Sequence, residues 1–208
     1  MRFVLTGFGK FLGVDDNPTM HLVEALSTRE DVLLSSVLKV AGIDAERFVA
    51  EAFASPLVAS DGPPVCFLHL GVAARRDCIC LERTALNCAD FRCPDERGWM
   101  PSMEPIRPED GSHEKRITTQ FDVDDLCAKM VAQKFPVAVS EDAGFPLSLF
   151  SFSFPLTMVH QANFYAIISR TFPAVERISR SGRFTPSLFM YPCLRPSRKM
   201  SRLLLLLP

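Results

Sequence analysis

Apolar positions along this chain fall into short continuous runs, and the stretches between several of them carry helical spacing. Arg2 to Leu5 is an apolar run that ends at Thr6-Gly7, which predicts a first sheet strand opening into a loop. Asn17-Pro18-Thr19 predicts a helix start, with Thr19 as the expected N-cap and Leu22, Val23, Ala25 and Leu26 on the apolar face. Val32 to Val40 reads as a second strand and Asp44 to Ala54 as a short amphipathic helix. Pro64 to Leu70 (PVCFLHL) is continuous rather than alternating, the pattern of a parallel strand covered on both faces. Cys78 to Leu81 is a further short strand closing on Glu82. The best helix runs from Phe121 to Phe135, with Val123, Leu126, Cys127, Met130 and Val131 facing away from Asp124, Asp125 and Lys129. It delivers the chain into an apolar strand at Val137 to Val139. Between these elements, 87–101 and 103–116 show no period and read as loops, the places where ligand contacts concentrate.

Strands alternating with helices make an α/β sheet with helices on both faces. In such sheets ligands bind beyond strand ends, so the strand ends are where chemistry is expected. Gly7, Gly9 and Gly13 interleave with Phe8 and Phe11 after the first strand. The third glycine stands one place too late for a dinucleotide fingerprint. From the residues alone, the two phenylalanines either line a small apolar pocket or belong to the core. Glu82 is either a carboxylate held at the sheet edge or a solvated strand-end charge. His69 reads more plainly as a satisfied core histidine than as a base. The last strand runs out through the polar rim Ser140-Glu141-Asp142 into the small pair Ala143-Gly144.

At 208 residues, 48% of them hydrophobic, the chain has the size and composition of one globular domain. A net charge of −1 leaves no nucleic-acid footprint. The apolar run after Arg2 is too short for a secretory signal core, and no run reaches the length that spans a membrane. An odd count of seven cysteines without a signal predicts reduced thiols and a cytoplasmic protein. Cys78, Cys80, Cys88 and Cys93 lack the spacing of a closed zinc site and are expected to be buried small hydrophobes. No metal or cofactor is expected.

Charge changes the picture further on. Residues 1–144 carry 15 basic and 23 acidic residues, whereas 145–208 carry 8 basic residues and one acid, Glu176, with eight of the seventeen phenylalanines. The single domain thus divides into a front portion, 1–144, and a C-terminal portion, 145–208, of different character. A basic segment for an acidic partner is one explanation. A tail that is not the native coding sequence of this fold is the other.

Five motifs in the front portion carry a family resemblance. They are Thr6-Gly7-Phe8-Gly9-Lys10-Phe11; Asn17-Pro18-Thr19; His69-Leu70-Gly71-Val72; Leu81-Glu82-Arg83-Thr84-Ala85-Leu86-Asn87 with Pro94-Asp95-Glu96-Arg97-Gly98; and Ser140-Glu141-Asp142-Ala143-Gly144. In order and spacing the chain resembles the pyroglutamyl peptidase I family over about residues 3–144. The resemblance implies a three-layer α/β/α sandwich with a mixed, mostly parallel central sheet. It implies a thiol exopeptidase that removes N-terminal pyroglutamate from peptides, without a cofactor and commonly as a homo-oligomer. It assigns the acidic catalytic position to Glu82, and it gives the ring-sandwiching loop to Phe8 and Phe11. Asn17 follows that loop, and Leu70 and Gly71 border the site. A small, flat, uncharged lactam suits aromatic walls with a few main-chain groups. A thiolate attacking the carbonyl beyond it needs an imidazole to carry the proton and a carboxylate to orient that imidazole.

The chain departs from the family pattern after Gly144. The family continues with Arg, an aromatic, a variable residue, Cys and Asn; here Phe145, Pro146, Leu147, Ser148 and Leu149 follow. Ser148 stands at the nucleophile position, and Pro146 removes an N–H where the helix should begin. The histidine is expected at position 172, which is Phe, and the tail's single histidine, His160, lies in no matching motif. Phe145 to Ser148 can be encoded TTT-CCT-CTG-TCT, which one base later reads Phe-Leu-Cys. Phe189 to Pro192 can be encoded so that a two-base offset reads His-Val-Pro. The offsets differ, so a frameshift or retained intron near residue 145 and a divergent tail both stay open. A protein that binds pyroglutamyl ends without cutting them is the alternative to a peptidase.

Overall fold

The computed structural model describes residues 1–11, 14–59, 62–72 and 77–141, with the backbone of 165–169. Its elements in chain order begin with β1 (Arg2–Phe8), α1 (Pro18–Leu26), β2 (Val32–Leu38), α2 (Gly42–Ala54), the single turn α3 (Pro56–Ala59) and β3 (Val65–Gly71). There follow β4 (Ile79–Glu82), β5 (Thr84–Leu86), β6 (Cys88–Ala89), β7 (Glu104–Pro105), β8 (Arg116–Thr118), α4 (Val123–Ala132), β9 (Val137–Ser140) and β10 (Tyr165–Ser169). Six strands form the main sheet in the order β2-β1-β3-β10-β4-β9. β2, β1, β3 and β10 run parallel to one another, while β4 and β9 are parallel to each other and antiparallel to β10. This is the mixed, mostly parallel sheet that the resemblance implied. Its central gap is filled by β10, a strand drawn from beyond residue 144.

Alternation along the strands sorts side chains onto two covered faces. On one, Phe3, Leu5, Leu68, Leu70, Ile79 and Leu81 meet Val23 and Leu26 of α1 and Val123, Leu126 and Met130 of α4. On the other, Val4, Val65 and Phe67 meet Ala52 of α2, with Ala85 and Ile117 from the small β5–β8 sheet. Phe53 of α2 stacks on Phe67 with ring centroids 4.5 Å apart. Each such buried side chain stabilises the fold by roughly 1.5–3 kcal/mol, which makes these two layers the source of most of the stability.

Local contacts explain where the elements depart from the sequence pattern. β1 continues to Phe8, past the expected loop at Thr6-Gly7, because its pairing with β2 runs on through Gly7↔Val37 and Phe8↔Leu38. Thr6 Oγ1 lies 2.5 Å from His69 Nδ1, and the Phe8 N–H donates to Thr19 Oγ1 at 2.9 Å. A Cβ on Gly7 would come within 2.6 Å of the Thr19 carbonyl oxygen and 2.8 Å of Val23 Cγ2, so only glycine lets α1 lie directly on β1. With Thr19 turned toward β1, the N-cap is Asn17, whose side chain accepts from the Thr19 N–H, and Pro18 takes the first helical position. The region 87–116 is not irregular throughout: β6 pairs with β7, β8 pairs with β5, and Pro108–Asp110 forms a 3-10 turn. Pairs two or three residues long leave no readable period.

The 94–98 loop also has a structural task. α2 has no side-chain cap of its own. Asp95, 53 residues away, accepts from the Gly42 N–H at 3.0 Å and also from the N–H groups of Arg97 and Trp99. Arg97 then pairs with Asp44 in the first turn of α2. Of the four cysteines weighed for zinc, Cys80 and Cys88 are buried as expected, but Cys78 is half-buried and Cys93 is exposed. Cys93 sits just before that loop, in a stretch without regular structure, where nothing packs over it.

Candidate functional site

Strand register gathers the candidate residues at one level of the sheet. Thr6 pairs with His69 across β1 and β3, and His69 pairs with Ile167 of β10. Ile168 pairs with Leu81, which brings Ile167 level with Glu82, and Glu82 pairs with Ser140 of β9. Register partners point to the same face, so Thr6, His69, Glu82 and Ser140 share one side of the sheet. Phe8, two residues beyond Thr6, lies on that side as well. β1 and β4 are three strand spacings apart, about 14 Å.

His69 is fully buried, and burial draws its imidazole pKa down to about 3, so the ring is neutral beside the Thr6 hydroxyl. The sequence suggested a core histidine, and the ring is in the core with its Nδ1 against the Thr6 hydroxyl. Glu82 is only 4% exposed, which excludes the solvated strand-end reading. Its neighbours hold the exit of β9. The Arg83 N–H donates to the Ser140 carbonyl at 2.8 Å, Arg83 pairs with both Glu141 and Asp124, and the Thr84 hydroxyl donates to the Glu141 carbonyl. Sequence reasoning did not single out Arg83, because one arginine after an apolar strand looks like any surface charge.

The loop after β1 is closed by reciprocal backbone hydrogen bonds between Phe11 and Val14. Phe8 is 5% exposed, clustered with Leu38, Ala45 and Ala89, and forms a wall continuous with the core; Phe11 is half-buried. Asn17 is buried and ties this loop to α1. Its Nδ2 donates to the Gly9 carbonyl, and its Oδ1 accepts from the Thr19 N–H and hydroxyl. Asn17 therefore shapes the loop. The Leu70 side chain points to the other face, into the core beneath α1 and α4, so at this position the main chain of Leu70 and Gly71 is what borders the sheet edge. Ser148, Asp142 and position 172 lie outside the described residues. Among the described residues no group of His, Cys, Asp and Glu is placed to hold a metal ion.

The arrangement is an aromatic loop at the end of β1 with a buried carboxylate, Glu82, on the same face of the sheet. It sits on an α/β/α scaffold. The model of the pyroglutamyl peptidase family matches residues 1–180, and this chain belongs to that family. The match runs beyond residue 144, further than the five motifs do. Pyrrolidone-carboxylate peptidase of Gloeobacter violaceus is 31% identical over 150 residues, 69% of this chain and 67% of that protein. That of Treponema denticola is 27% identical over 146 residues, 69% of this chain, and the chain spans 63% of its length. Among solved structures, pyrrolidone carboxyl peptidase from Thermus thermophilus superposes with a TM-score of 0.68 at 26% identity, covering 80% of this chain and 83% of that one. A mutant of the enzyme from Pyrococcus furiosus gives 0.70 at 25% identity, covering 81% and 80%.

Proposed function

We propose that this chain recognises N-terminal pyroglutamyl peptides and that the family's thiol chemistry is lost in it. The placement of Phe8, Glu82 and Ser140 on one face of the sheet carries the recognition half of this reading. Phe8 and Phe11 supply apolar walls for the lactam, and the main chain of Leu70 and Gly71 reads its amide. Glu82 is the carboxylate that would orient an imidazole. The sequence carries the second half: Ser148 and Phe172 occupy the positions of thiol and histidine. A serine hydroxyl has a far higher pKa than a thiol and attacks only where a base activates it. Free cysteines suit a reducing compartment, and we place the protein in the cytoplasm.

The test uses the purified full chain. Calorimetry with 2-pyrrolidone is expected to show binding, and incubation with a pyroglutamyl-coumarin amide is expected to release no coumarin. Turnover that Ser148→Ala abolishes would instead make it a serine-dependent peptidase.

A further inference from the structure

The main sheet comes apart along one seam. Among the described residues, β1 and β3 pair from Arg2↔Val65 to Thr6↔His69 and no further. Beyond that level β1 stays with β2 as far as Phe8↔Leu38, and β3 stays with β10 as far as Gly71↔Ser169. Gly7-Phe8 and Leu70-Gly71 therefore face each other across an opened ladder. The helices that follow β1 and β2 lie on opposite faces: α1 covers the side of Phe3 and Leu5, α2 the side of Val4 and Phe67. Such a reversal between neighbouring parallel strands is where an α/β sheet opens a crevice at its carboxyl edge.

Opening a ladder strands the main-chain groups that the lost partner would have taken. The Gly9 N–H turns to Leu38 of β2, so the Phe8 N–H and carbonyl, one residue earlier, turn toward β3. Thr19 of α1 meets them instead. Its Oγ1 accepts the Phe8 N–H at 2.9 Å and lies 3.3 Å from the Phe8 carbonyl. Asn17 Oδ1, 2.8 Å from the same hydroxyl, competes for its proton, while Asn17 Nδ2 donates to the Gly9 carbonyl. Thr19 is buried, and its main chain lies over Gly7, where no Cβ would fit. The Phe8 ring turns to the α2 face, among Leu38, Ala45 and Ala89, with Trp99 at the margin of that cluster.

We propose that Thr19 is a positioning residue for lactam binding. Its hydroxyl stands in for β3 as the partner of the Phe8 main chain, which keeps the seam open and the aromatic loop set before a ligand arrives. The inference rests on the pyroglutamyl reading above. A wall already in place binds more tightly than one that must be ordered on binding. Without the hydroxyl, the Phe8 N–H must take water into the seam or pair again with β3, and either changes the space a ring would enter.

Calorimetry with 2-pyrrolidone compares the full wild-type chain with Thr19→Val, which keeps the shape and removes the hydroxyl, and Thr19→Ser, which keeps the hydroxyl. Thr19→Val is expected to weaken binding about tenfold, the effect of losing roughly one hydrogen bond from the ready loop, and Thr19→Ser by no more than about twofold. Hydrogen exchange on the wild type is expected to show the Phe8 N–H protected before 2-pyrrolidone is added. Wild-type affinity in Thr19→Val, or equal losses in the two variants, would overturn the role of the hydroxyl and leave the pyroglutamyl reading standing. So would a Phe8 N–H protected only when 2-pyrrolidone is bound, a result that depends on neither variant folding. Absence of 2-pyrrolidone binding to the wild type would overturn both.

Discussion

His69 shows how one residue sets a property of the whole protein. Its ring is buried and neutral, with a pKa of about 3 in the fold against an ordinary 6.5. Below pH 6.5 the unfolded chain takes up a proton that the folded chain refuses. Stability from this group is therefore complete above about pH 6.5 and is lost as pH falls toward about 3. The slope is about one proton, roughly 1.4 kcal/mol per pH unit in that window. Asp31 and Asp44, held below the usual carboxylate range chiefly by hydrogen bonds from Arg29 and Arg97, add to the loss at the acid end. Urea unfolding at pH 7, 5.5 and 4.5 should show this fall, and His69→Gln should flatten it. An unchanged slope in the variant would mean that other groups govern acid stability. The apolar run around His69 already pointed to a core position, but the completeness of its burial is a property of three strands and the layer above them.

At the scale of elements, α2 is started from outside. Its helical spacing was legible in the sequence, but its cap was not, because Asp95 lies in a separate loop and reaches Gly42 only in the folded chain. Asp95→Ala is expected to cost about 1–2 kcal/mol by urea unfolding and to speed hydrogen exchange at the start of α2 and in residues 95–99. A loss spread evenly over the molecule would count against a local cap. α4 ends by a different device. Phe135 and Lys134 donate back to Met130 and Val131, with Lys134 at φ 63°. This is the left-handed closing turn usually given to glycine. The predicted helix ran on to Phe135 because apolar spacing continues through that turn, and only the backbone shows that the helix has already ended.

For the whole molecule, the decisive feature is that β10, from beyond residue 144, lies between β3 and β4. Sheet formation therefore links the two portions that charge and composition separate. If the thiol chemistry is lost as proposed, Ser148→Cys alone is expected to give no turnover of a pyroglutamyl-coumarin amide. Ser148→Cys with Phe172→His is expected to give measurable turnover, since a thiol gains little without a proton carrier. Turnover by the single variant would show that a base already serves position 148. The sequence by itself determined the family and the α/β alternation, because motifs and periodicity are local and survive in the order of residues. The folded chain alone decided that Glu82 is buried, that Leu70 turns its side chain away from the site, that Asn17 shapes a loop and that Trp99 stands beside Phe8. Those facts depend on strand direction and register, which bring together residues that lie tens of positions apart along the chain.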